Sequence, residues 1–141
     1  MNIGYSVNYC SKLLKNKLNK ELETEGITAA QFAVIKYIER HSRGNAESNI
    51  LAAEIAEGLD MDKPTISGIL NRLTEKGYIK KLPHKTDKRA TTLVLTADCI
   101  EKLPQLEIIN HAVLDLALKE LNHDELVVFQ TAIQKIISNL Q

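Results

Sequence analysis

Apolar residues in the first part of the chain recur every three or four positions: Val7, Cys10, Leu14, Leu18 and Leu22, with Leu13 beside them and Gly26 behind them as a stop. This spacing keeps one face of an α-helix apolar and predicts an amphipathic helix of about twenty residues. Thr28 precedes Gln31 by three positions, the arrangement of a capping box, and Phe32, Val34, Ile35 and Ile38 form the inward face of a second helix that ends before Gly44. The polar run SRGNAESN then reads as a loop. Ser48 or Asn49 is the expected cap of a short third helix, with Leu51 or Ala52, Ile55, Ala56 and Leu59 turned inward and Gly58 near its C-terminal end.

Asp62 is placed to cap a fourth helix, DKPTISGILNRLTEKG, in which Pro64 falls in the first turn, where no intrahelical bond is lost. Ile66, Ile69, Leu70 and Leu73 make its buried stripe, and Gly77 closes it. The other face carries Lys63, Thr65, Ser67, Gly68, Asn71, Arg72 and Lys76. Residues 78–82 and 91–95 are short β-branched and aromatic runs joined by the polar stretch PHKTDKRA, which predicts a hairpin. Thr96 is the expected cap of a fifth helix, but Pro104 lies too deep for a first turn, which predicts a kink or break there and a helix continuing over 105–121. Asn122 and Glu125 form another capping box before a last helix with Leu126, Phe129, Ile133, Ile136, Ile137 and Leu140 on one face.

The expected fold is therefore mainly α with a small β-hairpin wing: a winged helix-turn-helix core over 27–95, flanked by helical segments over 1–26 and 96–141. The flanking stripes have no partner inside so small a core. Pairing of two copies of the chain covers them, so both flanks read as dimerisation helices.

Composition adds little to the fold but constrains the class. With 44% hydrophobic and 26% charged residues and few Gly or Pro, the chain is that of an ordinary globular protein. No apolar run is long enough for a membrane span and no signal core opens the chain, so a cytoplasmic protein is expected. Cys10 and Cys99 are far apart and outside any C-x-x-C spacing, which suggests free thiols.

Charge changes the picture more. The net charge is zero, yet from Lys63 to Arg89 eight Lys or Arg face only two acids, which leaves ten basic against sixteen acidic residues elsewhere. Lys12, Lys15, Lys17 and Lys20 form a second basic run. Helical charge runs often serve only to solvate a face, but one cluster spanning a polar-faced helix and a hairpin tip is the footprint of a surface that meets a polyanion. The helix beginning after Asp62 is sized for the major groove of double-stranded DNA, where Thr65, Ser67 and Asn71 reach base edges and Lys63 and Arg72 take phosphates. Lys85, Lys88 and Arg89 on the wing follow the backbone, with Arg89 suited to the narrow, electronegative minor groove.

The run LAAEIAEGLDMDKPTISGILNRLTEKGYIKKLPHKTDKRATTLVLT resembles the core of the MarR family of bacterial transcriptional regulators. The shared features are an LAxxL-type helix, a recognition helix ending in LxxKGYI, a wing with Asp-x-Arg, and a strand closing in LT. The likeness extends over nearly the whole chain, because long terminal helices that build a homodimer also occur in the family. It implies a repressor of a near-palindromic operator, released by a small ligand, often phenolic, or by oxidation. It also implies that Asp87 orients the wing by salt bridging and that Arg89 enters the minor groove. Gly68 and Lys88 depart from the family pattern, where a polar or basic side chain and a second Arg are common. The first departure removes a base contact and costs about 1 kcal/mol of helix propensity. The second keeps charge but gives up the bidentate fork.

The remaining chemistry is sparse. Cys10 stands about where peroxide-sensing members keep a reactive cysteine, although its place in the apolar stripe also reads as simple burial. Tyr5, Tyr9 and Tyr37 are candidates for lining a pocket for a small aromatic effector, or for plain helix packing. His41, His84, His111 and His123 are scattered without metal-ligand spacing, and no cofactor motif is present. His84, at the wing tip, is expected to touch phosphate when protonated. No G-x-S-x-G, phosphate loop or H-E-x-x-H occurs, so an enzyme is not expected. The rival readings are a redox regulator acting through Cys10, a sequence-neutral DNA binder, and a winged helix that binds protein.

Overall fold

The computed structural model describes residues 1–42 and 50–141. Among the described residues, the elements run α1 (Ile3–Leu22), α2 (Ala29–Ser42), α3 (Ala52–Gly58), α4 (Lys63–Glu75), β1 (Ile79–Pro83), β2 (Thr91–Leu95), α5 (Ala97–Leu118) and α6 (His123–Leu140), with a 3-10 turn at Glu23–Glu25. The expected mainly helical fold with a hairpin wing is the one observed.

Polar side chains fix most helix starts. Asn2 Oδ1 accepts the Tyr5 N–H at 2.9 Å and opens α1. Thr28 Oγ1 accepts from Gln31 N and Gln31 Oε1 accepts from Thr28 N, both at 3.1 Å, so the capping box of α2 is reciprocal. Asn19 adds a contact that local pattern does not disclose: its Oδ1 accepts the Ala29 N–H at 2.6 Å and pins the start of α2 to α1. Asn122 and Glu125 cap α6 in the same reciprocal way, at 2.9 Å each.

The third helix departs from expectation. Its N-cap is Leu51, which makes no side-chain cap bond. Ser48 and Asn49 lie outside the described residues. Leu51, a candidate inward residue of that helix, instead runs along the sheet with Ile50: Leu93 N donates to Ile50 O at 2.9 Å and Leu51 bridges Thr92. α3 ends at Gly58, as expected, and the turn that follows it is made by other residues. Asp60, at φ 52°, holds the left-handed position usual for glycine, and Met61 N reaches Ala56 O at 2.9 Å while Asp60 N reaches Glu57 O at 3.3 Å. Gly58 serves another purpose. A Cβ there would lie 2.3 Å from the Tyr37 ring, so its missing side chain lets α3 approach α2.

One apolar core holds these elements. Phe32, Val34, Ile35 and Ile38 of α2, Ile55 of α3 and Ile66, Ile69, Leu70 and Leu73 of α4 are buried together with Ile79, Leu93, Leu22 and the α5 residues Cys99, Leu103 and Leu106. Each such side chain stabilises the fold by roughly 1.5–3 kcal/mol, enough to fix which face of α4 points inward. The antiparallel hairpin pairs Ile79 with Leu95 through Pro83 with Thr91 and buries Ile79 of β1 with Thr92 and Leu93 of β2.

Pro104 does not break α5, which is continuous from Ala97 to Leu118. Proline removes only its own N–H, and both Pro104 and Ile100, whose carbonyl loses that partner, are exposed residues accessible to water. The helix ends at Leu118 and not near Leu121. α1 packs on α5, but beyond Leu14 and Val113 their apolar residues emerge from the core. In α6 no residue is buried; Leu126 and Ile133 are half-buried and Phe129, Ile136, Ile137 and Leu140 are exposed.

Candidate nucleic-acid interface

Burial of one stripe of α4 dictates what the other stripe presents. With Ile66, Ile69, Leu70 and Leu73 inward, Lys63, Thr65, Ser67, Gly68, Asn71, Arg72 and Lys76 are all exposed. Asp62 Oδ1 accepts the Thr65 N–H at 2.8 Å, and hydrogen bonds from the Thr65 side chain and backbone hold its carboxyl below the usual carboxylate range. At Gly68 nothing lies within 4 Å of the position a Cβ would take.

Two joints aim the hairpin relative to this helix. At the end of α4, Tyr78 N donates to Leu73 O at 2.9 Å and Gly77 N to Thr74 O at 3.0 Å, with Gly77 at φ 77°. This is a Schellman closure, and it reverses the chain straight into β1. Lys81 Nζ then reaches Asn71 Oδ1 at 3.4 Å, a long contact that links the exposed face of α4 to β1.

The tip between the strands is closed by its own groups. His84 N donates to Ala90 O and Ala90 N to Asp87 O, each at 3.1 Å. Asp87 Oδ1 accepts the Arg89 N–H at 3.0 Å. The Asp-x-Arg pair is thus joined side chain to backbone. Among the described residues, Lys63, Arg72, Lys88 and Arg89 form no ion pair, so their charge is available to an outside anion. His84 Nδ1 accepts from Asp87 N at 3.0 Å and Thr86 N at 3.2 Å, an organising role that its position alone does not reveal.

Comparison with known proteins places this arrangement. Residues 25–90 match the MarR family. The transcriptional regulator SarZ of Staphylococcus haemolyticus is 28% identical over 130 residues, 92% of this chain and 82% of that one. The multiple antibiotic resistance protein MarR of Escherichia coli is 27% identical over 138 residues, 96% and 90% of the two chains. A crystal structure of a cysteine-to-serine variant of that MarR with operator DNA superposes with a TM-score of 0.82 at 26% identity, over 96% of this chain and 94% of that one. Residues 25–90 thus carry a MarR-family winged core, and the chain as a whole is similar to transcriptional regulators of that family.

Outside the winged core, the sequence candidates separate. Tyr5 and Tyr9 stack with ring centroids 5.8 Å apart and line an apolar groove of about 420 Å³ with Cys10 and Leu13 of α1 and Val113 and Leu116 of α5. Tyr37 is not in it; its ring stacks on His41 at 4.0 Å over Gly58. Cys10 is exposed, contrary to the burial its stripe suggests, because among the described residues no element covers that part of α1. Cys99 is buried, and burial, with the charge of Glu39, pushes its thiol up to about 11. Among the described residues no group of three His, Cys, Asp or Glu is placed to hold a metal ion, and no helix is long and apolar enough to cross a membrane.

Proposed function

We propose that this chain acts as a homodimeric, sequence-specific regulator, a repressor of a near-palindromic operator in double-stranded DNA. In this reading α4 enters the major groove, with Thr65, Ser67 and Asn71 toward base edges, Gly68 letting the backbone approach, and Lys63 and Arg72 on phosphates. The wing lies along the backbone with Lys85 and Lys88, and Arg89 reaches the minor groove from a tip that Asp87 shapes. The observation that carries the reading is the free charge of that surface: four exposed cations on α4 and the wing have no acid partner among the described residues.

Residues 1–26 and 96–141 supply the dimer contacts and 27–95 the DNA-binding lobe. The bare apolar faces of α1, α5 and α6 support this, since a second copy removes them from water. A small aromatic effector fits the Tyr5–Tyr9 groove, where it would act by favouring one spacing of the two lobes. Cys10 lines the same groove and is exposed, which keeps a redox signal as the second reading of how the regulator is released.

The test is selection of binding sites from random duplex DNA, then titration of the winner against a scrambled duplex at several salt concentrations. The expected result is a near-palindrome with half-sites about 10 bp apart, preferred over scramble by about a thousandfold or more. A steep salt dependence without sequence preference overturns the specific reading in favour of sequence-neutral DNA binding. No binding at all points to a winged helix that contacts protein.

A further inference from the structure

We propose that His84 is the positioning residue of the wing: its neutral imidazole folds the cationic tip through Nδ1, and protonating that nitrogen releases the tip and weakens DNA binding. The inference rests on the reading of the wing as a DNA contact. Its own basis is geometric. Two backbone N–H groups, of Thr86 at 3.2 Å and Asp87 at 3.0 Å, converge on Nδ1, and the Thr86 hydroxyl lies 3.3 Å from the same atom. An atom that receives two N–H donors must present a lone pair, so the ring proton of the neutral form sits on Nε2. His41 makes the contrast, because its Nδ1 lies 2.8 Å from the Tyr37 carbonyl and must be the donor there.

The consequence for the tip is direct. Turning at Thr86 and Asp87 sets Asp87, whose carboxylate then holds the Arg89 N–H, so the chain of bonds runs from the imidazole to the backbone of Arg89. A proton on Nδ1 places a third hydrogen where two already point, and both N–H groups lose their acceptor. The charged residues of the tip are Lys85, Asp87, Lys88 and Arg89, with Lys81 on the adjoining β1. Cations outnumber the single acid there, so an added imidazolium charge by itself would strengthen binding to a polyanion. Release of the tip and gain of charge thus act with opposite signs, and their balance can be read experimentally.

The experiment titrates the duplex recovered by the selection above with wild type, His84→Asn and His84→Leu at about pH 7.5 and about pH 5.5, spanning the range in which imidazoles titrate. Asparagine carries an acceptor oxygen on the same γ carbon but does not titrate. Wild type is expected to bind about tenfold more weakly at the lower pH than His84→Asn does, and His84→Leu about tenfold more weakly at both, two modest hydrogen bonds together amounting to roughly that factor. Equal or stronger wild-type binding at the lower pH, or no rescue by asparagine, overturns the proposal. Nitrogen NMR of the free protein provides a readout without DNA: the expected spectrum shows His84 protonated on Nε2 at neutral pH, with the Thr86 and Asp87 amides shifting as the ring titrates. A ring protonated on Nδ1 overturns the proposal even if no duplex is bound, whereas failure of wild type to bind any duplex with the Nε2 form present overturns the wing reading and leaves the tip geometry standing.

Discussion

Thr96 ties the end of the winged core to the long helix that follows it. Its hydroxyl donates to the Gly77 carbonyl at 2.5 Å while the same oxygen accepts the Cys99 N–H at 3.2 Å, and its own N–H reaches Tyr78 O at 3.1 Å. One side chain therefore caps α5 and fastens it to the turn that launches β1. Thr96→Ala removes a cap and a cross-element bond, and should lower stability by about 1–3 kcal/mol. Thr96→Ser should recover most of the loss. Urea denaturation of the three proteins measures this, and a Thr96→Ala midpoint within error of wild type would show that the joint is dispensable.

Two glycines of the candidate interface should respond in opposite directions. Gly68 is an exposed helix-interior residue with open space around its missing Cβ, so Gly68→Ala should raise stability by about 0.5–1 kcal/mol. Gly77 also has space but sits at φ 77°, where a Cβ is strained, so Gly77→Ala should destabilise by about 1–2 kcal/mol. If Gly68 is present so that the helix backbone can approach DNA, the stabilised Gly68→Ala protein should bind its site more weakly. Thermal unfolding and a binding titration on the same samples separate the two effects.

Periodicity and caps carried most of the fold, because they are local. The stripes of α2 and α4, both capping boxes and the Asp62 and Thr96 caps are found where three- and four-residue spacing places them. What the pattern missed is held by long-range contacts. Leu51 looks like an inward residue of a helix until β2 is beside it, and Asn19 becomes a cap only when α1 packs at the start of α2. Gly58 ends α3 as expected, but its close approach to Tyr37 and the left-handed Asp60 after it show only in three dimensions. At the candidate interface the exposed set on α4 was legible as the complement of a buried stripe. The roles of His84 and Asp87 were not, since they depend on how seven tip residues fold back on one another.

The buried thiol of Cys99 gives a pH dependence on the alkaline side. Its folded-state value is raised to about 11 from an ordinary 9.0, so its contribution is complete below pH 9.0 and is lost as pH rises through about 11. The full loss is on the order of 2–3 kcal/mol. Lys36 also titrates high: burial works against its charge, but hydrogen bonds and attraction from Glu107 and Glu39 prevail, so it too stops contributing as pH climbs. Comparing wild type with Cys99→Ala isolates the thiol, and the stability difference between them should shrink between about pH 9 and 11.5. At neutral pH a thiol reagent should leave native Cys99 unmodified and react with it on unfolding.

Arg89 tests the wing most directly. Its backbone is fixed by Asp87 while its side chain is exposed and makes no ion pair among the described residues, so removing the guanidinium should not disturb the tip. Arg89→Ala is expected to weaken binding to the selected duplex by about 1–3 kcal/mol with unchanged thermal stability and oligomeric state. Lys88→Ala, a phosphate contact in the same reading, should weaken binding to all sequences alike and flatten the salt dependence by about one counterion. Equal affinity of wild type and Arg89→Ala would remove the residue from the interface.

The bare face of α6 makes a prediction about assembly that is independent of DNA. Phe129 and Ile136 are exposed in the single chain, so Phe129→Asp together with Ile136→Asp disturbs no intrachain core. If α6 joins two copies, the double variant buries two unpaired charges at that contact, each costing several kcal/mol, and the protein should become monomeric while its helical circular dichroism remains. Light scattering reads the mass. A double variant that is still a dimer would show that α6 lies outside the interface, and would shift the dimer contact to the exposed apolar residues of α1 and α5.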